Sequence, residues 1–580
     1  MKVNDPLNVI WIVIDGARNY RTGLDDRDRP AVMDAMKAET VNFETAVTSA
    51  PSSILAGSAM MTGMDCAYIS RHFSEYRFDN NRIFNLPNAL RDSGYQVISI
   101  HDAPQPRFIM KDLLLPLPRP RLPKGFSQSQ HWTNQEILTI LNHQFATRRI
   151  HEPCFILLWF DVRRDPKVSA AVQSAIDTLR LQGLFDRSFF VMCSDHGYPD
   201  PATGLTERTM RGFTHDMVVT DDNILVPLLI RYPGSPVRSI RQVVGLIDVA
   251  PTILNVLKVE DRDELTRRMD GRSLVPLIEG GHDRANRVIR TDTRLQLASG
   301  RITALRGDRY KFVYYHDSRK EEFYDLLSDP KELCNVIDQP GLAATVAGSR
   351  LRFRQSQDAI DAFHLEELAG NYGKSIRRLW PQGPDRPPGN IIILTRAPRL
   401  FLEFLVRSFR ETFPGTTVDH LVDRADPATE PVETVGFDHL LHCDGLKDDA
   451  LREGFRTGAY RRYDLAVMTT ENSRTALDAL NLKCLRLFAG RRLVLVDYNL
   501  RVYSRFMHRW IWPFRRFADQ WEFYKYEPAL MVRDIVRLVR SGVASRLFGR
   551  KPLTLDAEWA KQRRDRDIRV GTGAEKSPPA

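Results

Sequence analysis

"SFFVMCSDHG", Ser188 to Gly197, is an unbroken apolar run that ends in an aspartate, a histidine and a glycine. A run of that length and composition suits a strand buried on both faces, as in a parallel sheet. It follows a segment with helical spacing, "SAAVQSAIDTLRLQG" (169–183), which itself follows the apolar run "CFILLWFD" (154–161). The same alternation recurs upstream. "VIWIVID" (9–15) precedes a helix expected near 29–38, and the helix "NLPNALRDSG" (85–94) precedes "YQVISIH" (95–101). Strands alternating with helices predict an α/β fold whose central sheet is mostly parallel and covered on both faces. Polar ligands collect at the carboxyl ends of strands in such sheets, and Asp15 and Asp195 both stand there. Asp195 and His196 can offer two kinds of ligand to one divalent cation, or can make an ordinary strand-end turn before Gly197.

At 580 residues, with 43% hydrophobic and 27% charged residues, the chain has the composition of a globular protein of two or more domains. No apolar run approaches the roughly 20 residues of a spanning helix, and the N-terminus does not read as a signal peptide. The expected location is the cytoplasm. Six cysteines without CxxC spacing argue against a zinc knuckle or a disulfide framework. The net charge of +10 is concentrated at one end, since residues 501–580 hold 18 Lys and Arg against 9 Asp and Glu. The expected organisation is a catalytic domain over 1–375 and a Pro/Gly-rich linker over 376–390. A small α/β domain over 391–500 and a basic, aromatic, helical tail over 501–580 follow.

"TAVTSAPSSILAGSAMMTG", Thr45 to Gly63, crowds hydroxyl residues before an expected helix. Taken alone, these serines and threonines suit caps and turns.

Taken in order, six landmarks resemble the sulfatase family of the alkaline phosphatase superfamily over about residues 6–345. They are "NVIWIVIDGAR", "CSDHG", "THDMVVTDDNILVPLLIRYPG", "VVGLIDVAPTILNVL", "DGRSLVPLIEG" and the closing pair "ALRGDRYKFVYY" and "EFYDLLSDPKELCNV". The resemblance implies an alkaline phosphatase/sulfatase-like sandwich and carries Asp15, Asp195 and His196 over as ligands of one divalent metal ion, Ca²⁺, Mn²⁺ or Mg²⁺. Counting back ten residues from Gly63 places the family's nucleophile on Ser53, with Ser52 and Ser49 as fallbacks. His215 carries over as the group that binds the anion or protonates the leaving oxygen, and Arg18 either pairs with the anion or is a solvated strand-end charge. A serine at a helix N-terminus beside a cation suits attack on a tetrahedral phosphate or sulfate ester.

The chain also departs from the family. The C/S-x-P-x-R pattern that marks conversion to formylglycine is absent, since Ser53 opens "SILAG" and Ser49 opens "SAPSS". An unmodified serine points to phosphate ester hydrolysis or phosphotransfer. Asp15-Gly16 replaces the adjacent aspartates of many sulfatases, and His101 is the nearest candidate for the family's basic residues after the "GY" strand.

Residues 391–500 weakly resemble one Rossmann-like half of a nucleotide-sugar glycosyltransferase, which implies a glycan or glycolipid substrate. The tail interleaves Trp510, Trp512 and Trp521 with arginines. It suits peripheral contact with the inner face of a membrane, an anionic polysaccharide, or a partner's groove, whereas nucleic acid is not expected. The competing expectation is a catalytically inactive scaffold of the same fold that binds an anionic glycan or a membrane surface.

Overall fold

The computed structural model describes residues 6–19, 30–69, 84–101, 122–124, 126, 132–162, 168–199, 218–259, 265–267, 269–282, 287–293, 302–316, 319–379, 388–394, 399–423, 437–443, 453–470, 488–489, 493–497 and 502–504. It divides into two compact units, the first built mainly from residues up to Ser356 and the second mainly from Gln357 onward.

The first unit centres on eight strands: β1 (Asn8–Asp15), β2 (Val41–Val47), β3 (Gln96–His101), β4 (Cys154–Asp161), β5 (Ser188–Cys193), β6 (Leu225–Arg231), β7 (Arg238–Ile240) and β8 (Val244–Gly245). Their order is β3-β4-β1-β5-β6-β2-β7, with β8 also on β2. Strands β3, β4, β1 and β5 run parallel, and β6 is antiparallel to both its neighbours. The mostly parallel sheet expected from the strand–helix alternation is what forms. Alternation along β1 explains why its sequence is apolar throughout. Val9, Trp11 and Val13 enter the core on one face, and Ile10, Ile12 and Ile14 enter the core on the other. The helix expected near 29–38 spans Ala31–Met36 and starts after Pro30.

A second, antiparallel sheet of the same unit runs β12-β11-β10-β9, from β9 (Ile289–Asp292), β10 (Ile302–Arg306), β11 (Tyr310–Tyr315) and β12 (Glu321–Asp325). Its inward charges form a closed cluster. Asp221 accepts from Lys311 (3.1 Å) and Arg306 (3.0 Å), while Glu332 accepts from Lys311 (2.7 Å) and from the Asp221 backbone N–H (2.6 Å). Burial opposes ionisation of Asp221, but Lys311 and Arg306 win and hold it down at about 2. Burial pushes Glu332 up to about 7 against the pull of Lys311, and Asp221 adds to the rise. The sign follows from that upward shift. The stability Glu332 contributes is complete below its unfolded value near 4.5 and is lost as pH climbs through 7. Glu332→Gln should therefore flatten the decline in melting temperature between pH 5 and pH 8. An unchanged slope would assign the decline to other groups.

Two family-like motifs are structural pins. Asp248 accepts the backbone N–H groups of Gly245 (2.7 Å) and Arg272 (2.8 Å) and pairs with Arg287. Thr252 donates to the Asp248 carbonyl (2.6 Å) and accepts from Leu274 N–H (2.8 Å). Together they fasten the helix Val249–Leu257 to the segment after Gly271.

The second unit carries six strands: β13 (Asn390–Leu394), β14 (Thr417–Asp423), β15 (Leu440–Cys443), β16 (Leu465–Thr470), β17 (Leu493–Asp497) and β18 (Val502–Ser504). Their order is β15-β14-β13-β16-β17-β18, parallel except for β18. Numbered from β13, this is 3-2-1-4-5-6, the order of a doubly wound sheet. The helix Ala343–Leu379 starts in the first unit and reaches four residues into the stretch read as a linker. Among the described residues no helix is long and apolar enough to cross a membrane. Beyond β18 the tail lies outside the described residues.

Candidate active site

Three chain segments meet at the carboxyl end of the first sheet. Asp15 closes β1, Asp195 and His196 follow β5, and β1 pairs directly with β5 from Asn8↔Ser188 to Val13↔Cys193. The turn after β5 is held by Ser194, whose Oγ accepts from Ala17 N–H (2.9 Å) and lies 2.7 Å from the carbonyls of Ile14 and His196. Asp195 Oδ1 accepts from Gly16 N–H at 3.3 Å. These bonds lock the two strand ends together.

The third segment is the helix Ser53–Thr62. Ser52 leaves the extended region at φ −144°, and the helix stops at Gly63, whose φ of +67° suits glycine. A Cβ on Gly63 would also lie 2.7 Å from Met269 Sδ. Ser53 is the first helical residue, and its Oγ lies 3.1 Å from Asp15 Oδ2 and 3.0 Å from His196 Nε2. The fallback Ser49 is turned elsewhere, donating toward Asp65 (3.3 Å) and accepting from Cys66 N–H (2.9 Å). Ser52 sits at the cap without a side-chain capping bond.

The tautomer of His196 follows from its surroundings. Nδ1 lies 2.8 Å from the Gly197 carbonyl, which can only accept, so Nδ1 carries the proton. Nε2 points into the site, 3.0 Å from Ser53 Oγ, 3.4 Å from Asp195 Oδ2 and 3.7 Å from Asp15 Oδ1. Asp195 Oδ2 is buried and has no hydrogen-bond partner among the described residues. Burial and then the neighbouring Asp195 push Asp15 up to about 6, against the opposing pull of His196, Trp159 and Ser53. Polar atoms converging in a buried site, one of them a carboxylate oxygen without a partner among the described residues, suit a cation. Asp15, Asp195 and His196 offer ligand atoms all within 4.8 Å of one another. Two carboxylates and one imidazole fit a single divalent cation such as Mn²⁺, Mg²⁺ or Ca²⁺.

Arg18 is buried, and its guanidinium donates to the Pro199 carbonyl (3.1 Å), tying the loop after β1 to the loop after β5. His215 lies outside the described residues. His101 ends β3, half-buried, in register with Trp159. Sequence reasoning missed two contributors. Trp159 donates its indole N–H to Asp15 Oδ2 (3.2 Å), and Gly197 donates to the Asn223 carbonyl (2.7 Å). The signal for Trp159 was faint: a polar-tipped aromatic near the end of an aliphatic strand. Gly197 is packed so closely that a Cβ would lie 2.2 Å from the Asp222 carbonyl oxygen. Gly197→Ala should cost about 1–3 kcal/mol, read as a lowered melting temperature. A melt matching the wild type would mean that the turn yields freely.

The family model for N-sulphoglucosamine sulphohydrolase, C-terminal, matches residues 211–358. The chain is similar to choline-sulfatase of Rhizobium meliloti (strain 1021), 30% identical over 169 residues, 29% of this chain and 31% of that protein. It is similar to arylsulfatase K of Xenopus laevis, 30% identical over 175 residues, 28% of this chain and 30% of that protein. The matches thus span less than a third of either relative. A solved structure of a 2-O GAG sulfatase is 16% identical, with TM-score 0.49, covering 62% of this chain and 93% of that one.

Proposed function

We propose that this chain is a member of the sulfatase family of the alkaline phosphatase superfamily and, from that premise, a metal-dependent ester hydrolase or transferase with Ser53 as nucleophile. The observation that carries this reading is the position of Ser53 Oγ, within hydrogen-bond distance of both Asp15 and His196. A divalent cation held by Asp15, Asp195 and His196 would supply positive charge that lowers the proton affinity of the Ser53 hydroxyl.

The remaining chemistry belongs to the chain's own groups. His196 is fixed as the Nδ1–H tautomer by the Gly197 carbonyl. The start of the Ser53 helix, which has no side-chain cap, favours a tetrahedral anion. Ser53 Oγ forms a bond to phosphorus, its proton passes to Asp15 Oδ2, and the bond from phosphorus to the ester oxygen breaks. His215 protonates the departing alcohol, and Arg18 pairs with the anion. Water or an acceptor alcohol then opens the phosphoserine at phosphorus and restores Ser53.

Phosphate is the better-supported ester. A serine sulfate lacks the exit that a hydrated formylglycine provides, and the sequence around Ser53 lacks the pattern for that conversion. The doubly wound order of the second unit supports reading residues 391–500 as a sugar-recognition domain, which makes a phosphorylated glycan or glycolipid the substrate class.

The test is turnover of nitrophenyl phosphate, bis-nitrophenyl phosphate and nitrophenyl sulfate by full-length protein loaded with Mn²⁺, Ca²⁺ or Mg²⁺. Phosphate-type turnover that EDTA abolishes is the expected result, with Ser53 unmodified in the intact mass; conversion to the aldehyde would remove about 2 Da. A metal-loaded protein inert to all three esters would favour the inactive scaffold.

A further inference from the structure

We propose that Trp159 is a positioning residue that reserves one oxygen of Asp15, so that this carboxylate meets the cation through its other oxygen alone. The inference rests on the metal-dependent reading of Asp15, Asp195 and His196.

Each of the three ligand side chains has one polar atom tethered to a neighbour and a second turned toward the other ligands. Asp195 Oδ1 takes the Gly16 N–H, which leaves Oδ2. His196 Nδ1 is committed to the Gly197 carbonyl, which turns Nε2 toward Ser53 Oγ (3.0 Å) and Asp195 Oδ2 (3.4 Å). Asp15 Oδ2 accepts from the Trp159 indole (3.2 Å) and from Ser53 (3.1 Å), using both lone pairs and leaving Oδ1 toward His196. Two of these tethers are backbone groups. The one on Asp15 that does not come from the nucleophile is a side chain.

Strand geometry explains how the indole gets there. Trp159 is paired in register with Val13 and Asp161 with Asp15, so Trp159 lies two register positions below the carboxylate on the same face of the sheet. Its ring is buried in the core cluster that also holds Leu55 and Met60 of the Ser53 helix. That packing fixes the direction of the N–H.

The consequence is ion selection. Ca²⁺ accepts bidentate carboxylates and six to eight oxygens, whereas smaller ions favour fewer, single-oxygen contacts. Losing the indole donor frees Oδ2 for a second contact and removes the preference for the smaller ion.

The experiment is calorimetric titration of full-length, metal-stripped protein with MnCl2 and CaCl2, comparing wild type with Trp159→Phe. In the variant, Mn²⁺ affinity should fall about tenfold or more while Ca²⁺ affinity holds or rises. Unchanged affinities, or equal losses for both ions, would overturn the proposal and leave Trp159 with packing alone. If Trp159→Phe does not fold, site-specific incorporation of 3-benzothienylalanine at position 159 keeps the bicyclic shape and replaces the N–H by sulfur, with the same two outcomes. A wild type that binds neither ion would instead defeat the metal-dependent reading, and this inference with it.

Discussion

Ser53→Ala should reduce phosphate ester turnover by about 10³-fold or more while leaving Mn²⁺ bound and the melting temperature within a few degrees of the wild type. The size follows from what the hydroxyl does: without it no covalent phosphoserine can form, and only electrostatic binding of the ester remains. The small effect on stability follows from position. Ser53 is the first residue of its helix, it is not the cap, and the helix is fastened at its far end by Gly63 and the backbone bonds from Asp270 and Gly271. Ser49→Ala and Ser52→Ala are informative controls, because Ser49 is committed to Asp65 and Cys66. Turnover that survives Ser53→Ala but disappears in either control would move the nucleophile to that residue.

The second large effect is on the metal, and it reverses sign with conditions. Asp195→Asn should weaken Mn²⁺ binding by about 10²-fold or more, measured by calorimetry on stripped protein. In EDTA, however, the variant should melt higher than the wild type by an amount equivalent to about 1–3 kcal/mol. The reason is Asp195 Oδ2, a fully buried carboxylate oxygen without a hydrogen-bond partner among the described residues. Neutralising it relieves a desolvation cost when the cation is absent, whereas removing it forfeits a ligand when the cation is present. Many mutations destabilise in both conditions. Crossing melting curves would mark a charge retained for the ion at the expense of the empty fold. Parallel curves would make Asp195 a structural residue.

Much of this site was legible because its chemistry sits at strand ends. The apolar runs before Asp15 and Asp195 located both carboxylates, while only the family resemblance, counted back from Gly63, singled out Ser53, whose Oγ stands between Asp15 and His196. The contributors that escaped notice do their work through geometry that composition does not encode. Trp159 reads as one more core residue of β4, and only the register with β1 brings its N–H to Asp15. Gly197 reads as a turn residue, and only the fold presses it against the Asp222 carbonyl. The sequence does not reveal that Asp221, Arg306, Lys311 and Glu332 cluster, because Asp221 lies far along the chain from the cations that hold it. Arg18, held open between an anion and a solvated charge, is buried with a bond to the Pro199 carbonyl.

The pairing of β1 with β5 has a consequence for synthesis. Asp15 leaves the ribosome well before Asp195 and His196, which only the pairing of β1 with β5 brings beside it. A nascent chain that carries Asp15 but not yet the turn after β5 therefore lacks two of the three ligand side chains, and ion uptake would report on long-range assembly rather than seed it. Arrested chains of increasing length should show no tight Mn²⁺ binding until Asp195 and His196 have cleared the exit tunnel.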